Sequence, residues 1–251
     1  MLQRLAFGDI EVIDVERYRH VAEAARLLAA ARALDLRFAM VEAGGPGEDE
    51  ARLINLAFWH PDGVAEVLDE PYLTLDQVAH NVWHVAAARA LGEEATRVEG
   101  LLLAEAVASA FDVYLIGRLL GHEPEAPLLE TQVPAMSDAA GAAGRSDAEV
   151  AAMFEGFAAA PEESFGQLTQ LLFATGRALV DAPDPDAAAE VLRHSRTQPL
   201  GCLLHHYELP TWVLFARAYG TEGHAPAAAA LAENIERSSD PVTLLCDAWL
   251  P

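Results

Sequence analysis

Lysine is absent: all 16 cationic side chains among the 251 residues are arginine. Against them stand 39 Asp and Glu, for a net charge of −23. So acidic a surface repels phosphate backbones and anionic lipid heads, so neither nucleic acid nor a membrane is an expected partner. A metal ion, a small molecule or peptide, or a basic protein partner is the complementary expectation. The same composition, rich in Ala and Arg, is also what a GC-rich genome writes, and charge alone names no function. Cysteine is nearly absent too. Cys202 and Cys246 are too few for a disulfide framework or a four-thiolate zinc site, and two free thiols in a reducing cytoplasm are expected. No apolar run precedes Asp9, so no signal peptide is read there and the expected location is cytoplasmic. The longest near-apolar stretch, between Gly100 and Gly121, is interrupted by Glu105 and Asp112, which a membrane span does not carry without a reason.

What is present is apolar and helical. A hydrophobic fraction of 52% and a mean hydropathy of +0.14 exclude a disordered chain. The alternation over Asp9–Val15 predicts one short strand, and the pattern from Glu16 to about Glu42 predicts a helix closed by Gly44-Gly-Pro-Gly47. A helix over about 49–59 ends at the turn His60-Pro61-Asp62-Gly63. Two helices then carry capping-box signatures, Thr74-Leu-Asp-Gln77 and Thr96-Arg-Val-Glu99. They stop at Gly92 and Gly121 and predict an antiparallel hairpin. Residues 122–146 hold three prolines and two glycines and predict a loop or linker. Beyond it, helical spacing recurs over Val150–Phe157, Phe165–Val180, Ala187–His194, Leu200–Tyr207, Thr211–Tyr219 and Ala225–Ile235. The expected fold is all-α and multi-helix: an N-terminal part (1–121) with the hairpin (74–121) at its centre, and a C-terminal part (147–251), together one compact domain.

The hairpin carries the chemistry. His80 and His84, four residues apart, project from one helix face and can grip one cation. His84 lies about 12 Å before the turn and Glu105 about 13.5 Å after it, at 1.5 Å per residue, so the two are nearly level; His80 is level with Ser109 by the same count. A carboxylate on the second helix completes a His₂Glu site with a fourth position for water. Glu105 is surrounded in sequence by Leu101, Leu102, Leu103, Ala104, Ala106, Val107 and Ala108, and a carboxylate so placed is usually paired, metal-bound or pKa-shifted.

His80-Asn-Val-Trp-His84, followed by Ala104-Glu-Ala-Val-Ala-Ser109, resembles the active-site helix pair of the gluzincin metallopeptidases. The resemblance covers about residues 74–120. It implies zinc as the cofactor, His80, His84 and Glu105 as its ligands, and Ser109 in the place of the residue that orients a ligand histidine, with Asp112 nearby to assist. It also marks a departure. Asn81 occupies the position of the catalytic glutamate, and an amide cannot take a proton from a metal-bound water. The catalytic residue is therefore unknown, and the resemblance implies an atypical hydrolase or a non-peptidase derivative of one, structural or substrate-sensing.

Two other readings remain open on the sequence. Glu105, Asp112, His205 and Glu208 contain one of the two Glu/His pairs that a helical di-iron oxidase needs. A non-enzymatic acidic helical protein that binds a basic partner needs no metal at all.

Overall fold

A computed structural model describes residues 2–41, 47–57 and 65–251. Among them are eleven α-helices and five short strands, an all-α, multi-helix architecture. The predicted turns at Gly44–Gly47 and His60–Gly63 fall largely or wholly outside the described residues. The chain divides into two compact units, Met1–Ala86 with Leu250–Pro251, and Ala87–Trp249. The division falls inside a helix, not at 122–146.

The first unit holds more strand than the sequence suggests. β1 (Gln3–Ala6) runs antiparallel to β3 (Arg37–Met40), with Gln3 opposite Met40, and β3 runs parallel to β4 (Val67–Leu68). β2 (Glu11–Val12), inside the predicted strand, pairs in parallel with β5 (Tyr72–Leu73). The helix predicted over 16–42 is only α1 (Ala22–Ala33), preceded by a 3-10 turn at Val15–Tyr18. Asp35 adopts a left-handed backbone (φ 53°) and ends it. Leu36 and Phe38 are buried on either side of exposed Arg37, a period of two that a helical count also accommodates. α2 (Gly47–Ala57) lies against β4, where the Asn55 side chain donates to Val67 O (2.9 Å) and accepts from Val67 N (2.8 Å).

α3 (Leu75–Leu91) begins at the first predicted capping box, half of which forms: the backbone N–H and hydroxyl of Thr74 both donate to Gln77 Oε1. The next free amide, Leu75 N–H, donates to Asp14 Oδ1 at 2.8 Å, so a carboxylate 61 residues away closes the helix start. Asp14 is buried, its other oxygen has no hydrogen-bond partner, and burial, reinforced by the charge of Asp76, pushes its carboxyl up to about 6. The native state therefore binds a proton more readily than the unfolded chain, and this group's contribution to stability falls as pH rises from about 4 to 6. Asp14→Asn keeps an oxygen for Leu75 N–H and removes the charge. We expect it to raise the urea midpoint at pH 7 and to leave it nearly unchanged at pH 4; an equal shift at both pH values contradicts this.

In the second unit α4 (Val98–Leu119) is the axis, packed by α5 (Pro127–Ala142), α6 (Asp147–Ala159), α7 (Pro161–Asp181), α9 (Leu209–Tyr219) and α10 (Pro226–Arg237). α8 (Pro185–Ser195) and α11 (Pro241–Trp249) pack on α7. Sixteen of the 22 residues of α4 are buried, so its length and apolarity, sufficient for a membrane span, match a central core helix. The second predicted capping box does not form. Thr96 lies in the 3-10 turn Gly92–Thr96, Arg97 precedes the helix, and Glu99 pairs instead with Arg177 (2.8 Å) and the Ala225 amide.

The expected loop at 122–146 is mostly α5. Pro127 stands in its first turn, where a missing N–H costs nothing, and Gly144 (φ +87°) lies just beyond its end. The predicted helix Leu200–Tyr207 is a 3-10 turn at Gly201–Leu203 followed by further turns, bounded by left-handed Leu200 (φ 60°) and Glu208 (φ 49°). Neither cysteine is in a disulfide, and both are buried. Gly117 sets how closely α4 can approach α6. A Cβ there would stand 2.2 Å from Phe157 O, against backbone that no rotamer change can clear. Gly117→Ala is expected to cost about 3 kcal/mol, a fall in Tm of roughly 6–12 °C by calorimetry.

Candidate metal centre

The two histidines of α3 sit one turn apart and converge. Their Nε2 atoms are 3.1 Å apart, and the rings meet edge to face at 62° with centroids 4.7 Å apart. His84 is buried and His80 half-buried. The 3.1 Å separation is a hydrogen bond between the two rings, one donating and the other accepting, and it is close to the about 3.3 Å between two nitrogens bound to one tetrahedral zinc at 2.0–2.1 Å.

Glu105 on α4 is buried, at 6% exposure. Desolvation alone pushes its carboxyl up to about 8. One ligand atom from each of His80, His84 and Glu105 lies within 4.8 Å of the other two. Among the described residues this is the one group of three or more His, Cys, Asp or Glu so gathered. The three side chains offer the donor set of a catalytic-type zinc site, two imidazoles and a carboxylate.

The remaining sequence candidates are placed differently. Ser109 is buried on α4 one turn beyond Glu105. Asp112 is half-buried, and its charge helps raise the buried Tyr207 phenol above the ordinary tyrosine range, second to desolvation. His205 is exposed and accepts from Arg196 at 2.8 Å, while Glu208 is an exposed residue immediately before α9. The four residues of the di-iron reading are thus not gathered into a metal-sized group. The segment between His205 and Glu208 is turn, so the two do not share a helical face.

Asn81 carries the feature that sequence reasoning missed. Its amide donates to Gln77 O and to Glu66 Oε2, both at 2.9 Å. Burial pushes the Glu66 carboxyl above its ordinary range; the Asn81 amide opposes this, and Asp76 and Asp69 add to it. The position next to His80 is therefore occupied by a donor that holds a carboxylate from outside α3. Glu66 lies between Ala65 and Val67 in a stretch whose only visible signal is a polar residue amid apolar ones, and its partner is 15 residues away in sequence.

No family model matches the chain, nor does any curated protein or solved structure.

Proposed function

We propose that this protein binds one divalent metal ion, zinc by its donor set, through His80, His84 and Glu105 in a zincin-like arrangement. The observation that carries the reading is the convergence of the three ligand atoms, above all the 3.1 Å separation of the histidine Nε2 atoms. A metal held there would supply Lewis acidity and lower the pKa of a bound water to about 7. The chain's own groups would do the rest: the histidines and Glu105 hold the ion, and Ser109, one turn from Glu105, orients a ligand. Asn81, whose amide is spent on Gln77 and Glu66, takes no proton. The reading is accordingly a metal centre without the peptidase base, serving an atypical hydrolase or a non-peptidase derivative.

Zinc titration of chelator-treated protein, followed calorimetrically, tests it. The native chain should take up about one ion, and His80→Ala should weaken binding at least 100-fold, because one of three protein ligands is gone. Equal affinity in the variant removes the ligand assignment.

A further inference from the structure

The Ala87–Trp249 unit also holds a groove that none of His80, His84 and Glu105 lines. Where α7 ends and α8 and α9 begin, a groove of about 580 Å³ opens. That is within the ~300–1,000 Å³ range of small-molecule sites. Its walls are apolar, formed among others by Leu179, Leu192, Leu204 and Val213, with Leu214 also lining it at 67% exposure. So exposed a leucine leaves apolar surface open to a ligand in the groove.

The polar lining has the opposite sign to the protein as a whole. Arg196, His205 and Arg217 line the groove, against a single carboxylate, Asp184. Asp184 is already committed: its Oδ1 accepts from Ala187 N–H and caps α8 (2.8 Å). The cations are held in place. Arg196 Nη2 lies 2.8 Å from His205 Nε2, and since a guanidinium only donates, the imidazole nitrogen accepts. Arg217 Nη2 donates to Leu179 O (2.8 Å) and Val180 O (3.1 Å), the unpaired carbonyls of the last turn of α7. Three N–H groups of Arg217 lie outside those bonds. In a chain with more than twice as many acids as arginines, two guanidiniums against one committed carboxylate make this apolar groove locally cationic.

We propose that this groove binds an aliphatic monocarboxylate, its chain along the leucine and valine walls and its carboxylate on Arg196 and Arg217. A planar carboxylate is the group that a guanidinium fork recognises with paired, charge-assisted hydrogen bonds. Apolar area on one side with cationic donors on the other matches an anion that carries a hydrocarbon tail and disfavours a fully polar anion.

Calorimetric titration of the full chain with decanoate, below its micellar concentration, tests this. The expected result is one site per chain, with methyl decanoate at least tenfold weaker because the ester cannot accept as an anion. Arg196→Ala should weaken decanoate about tenfold, the loss of one charge-assisted hydrogen bond. Leu214→Glu, at an exposed position where folding is not at risk, should abolish binding by placing a carboxylate in the groove. Circular dichroism confirms that each variant is folded. No heat with decanoate at millimolar concentration, or equal binding by the ester and by both variants, overturns the proposal.

Discussion

Glu105→Gln is expected to raise the thermal midpoint of the metal-free protein and to abolish the stabilisation that zinc confers. The first half follows from burial. A carboxyl whose pKa is pushed up to about 8 inside α4, against an ordinary value near 4.3, costs the folded state roughly 3 kcal/mol at pH 7. The folded pKa is raised, so this group's contribution is most favourable below pH 4 and is lost as pH climbs toward 8. A glutamine amide keeps part of the desolvation cost, which leaves a gain of about 1–2 kcal/mol, or about 4 °C. The second half follows from ligation. An ion that binds only the folded chain at 1,000 times its Kd stabilises it by about 4 kcal/mol, and that increment needs the carboxylate. Calorimetric scans in chelator and in zinc separate the two. A variant less stable than the native chain in chelator, or one that still gains stability with zinc, contradicts the account.

Asn81→Glu, which restores the gluzincin motif on paper, is expected to destabilise the protein at pH 8 by roughly 2–3 kcal/mol and much less at pH 5. The native amide donates to Glu66 Oε2 at 2.9 Å, so a glutamate there sets two carboxyls at hydrogen-bond distance. Only one of them can ionise, and they share a proton as a carboxyl dyad does. The folded pair holds that proton above the unfolded pKa values, so stability is kept at low pH and lost as pH rises. The double variant Glu66→Gln/Asn81→Glu exchanges the roles of donor and acceptor and should recover most of the loss, giving a coupling energy above 1 kcal/mol in the cycle. Urea midpoints at the two pH values measure it. Simple additivity of the two single changes would show that the Asn81–Glu66 contact carries no energy.

These two variants also mark how far the sequence reaches. α3 is legible because its signals are local: a Thr-to-Gln cap, Gly92 at a left-handed turn, and His80 and His84 one turn apart. Glu105 was legible as a carboxylate in a run of leucines and alanines. The bond from Leu75 to Asp14 and that from Asn81 to Glu66 were not, because each joins residues far apart in sequence across elements whose pairing no local pattern encodes. The strand Arg37–Met40 reads as helix in the sequence because an alternation as short as Leu36-Arg-Phe38 fits both periods. α5 reads as loop in the sequence because Pro127 and Pro134 are helix breakers at most positions, although one stands in the first turn and the other is carried within the helix. α11 went unread although Asp240-Pro241 opens it, with Asp240 Oδ1 accepting from Thr243 N–H at 2.9 Å.

Metal analysis by inductively coupled plasma mass spectrometry, on untagged protein purified without chelator, tests the central claim most directly. The account predicts about one zinc per chain, lost in both His80→Ala and Glu105→Gln. No bound metal, even after incubation with zinc and removal of the excess, would contradict it.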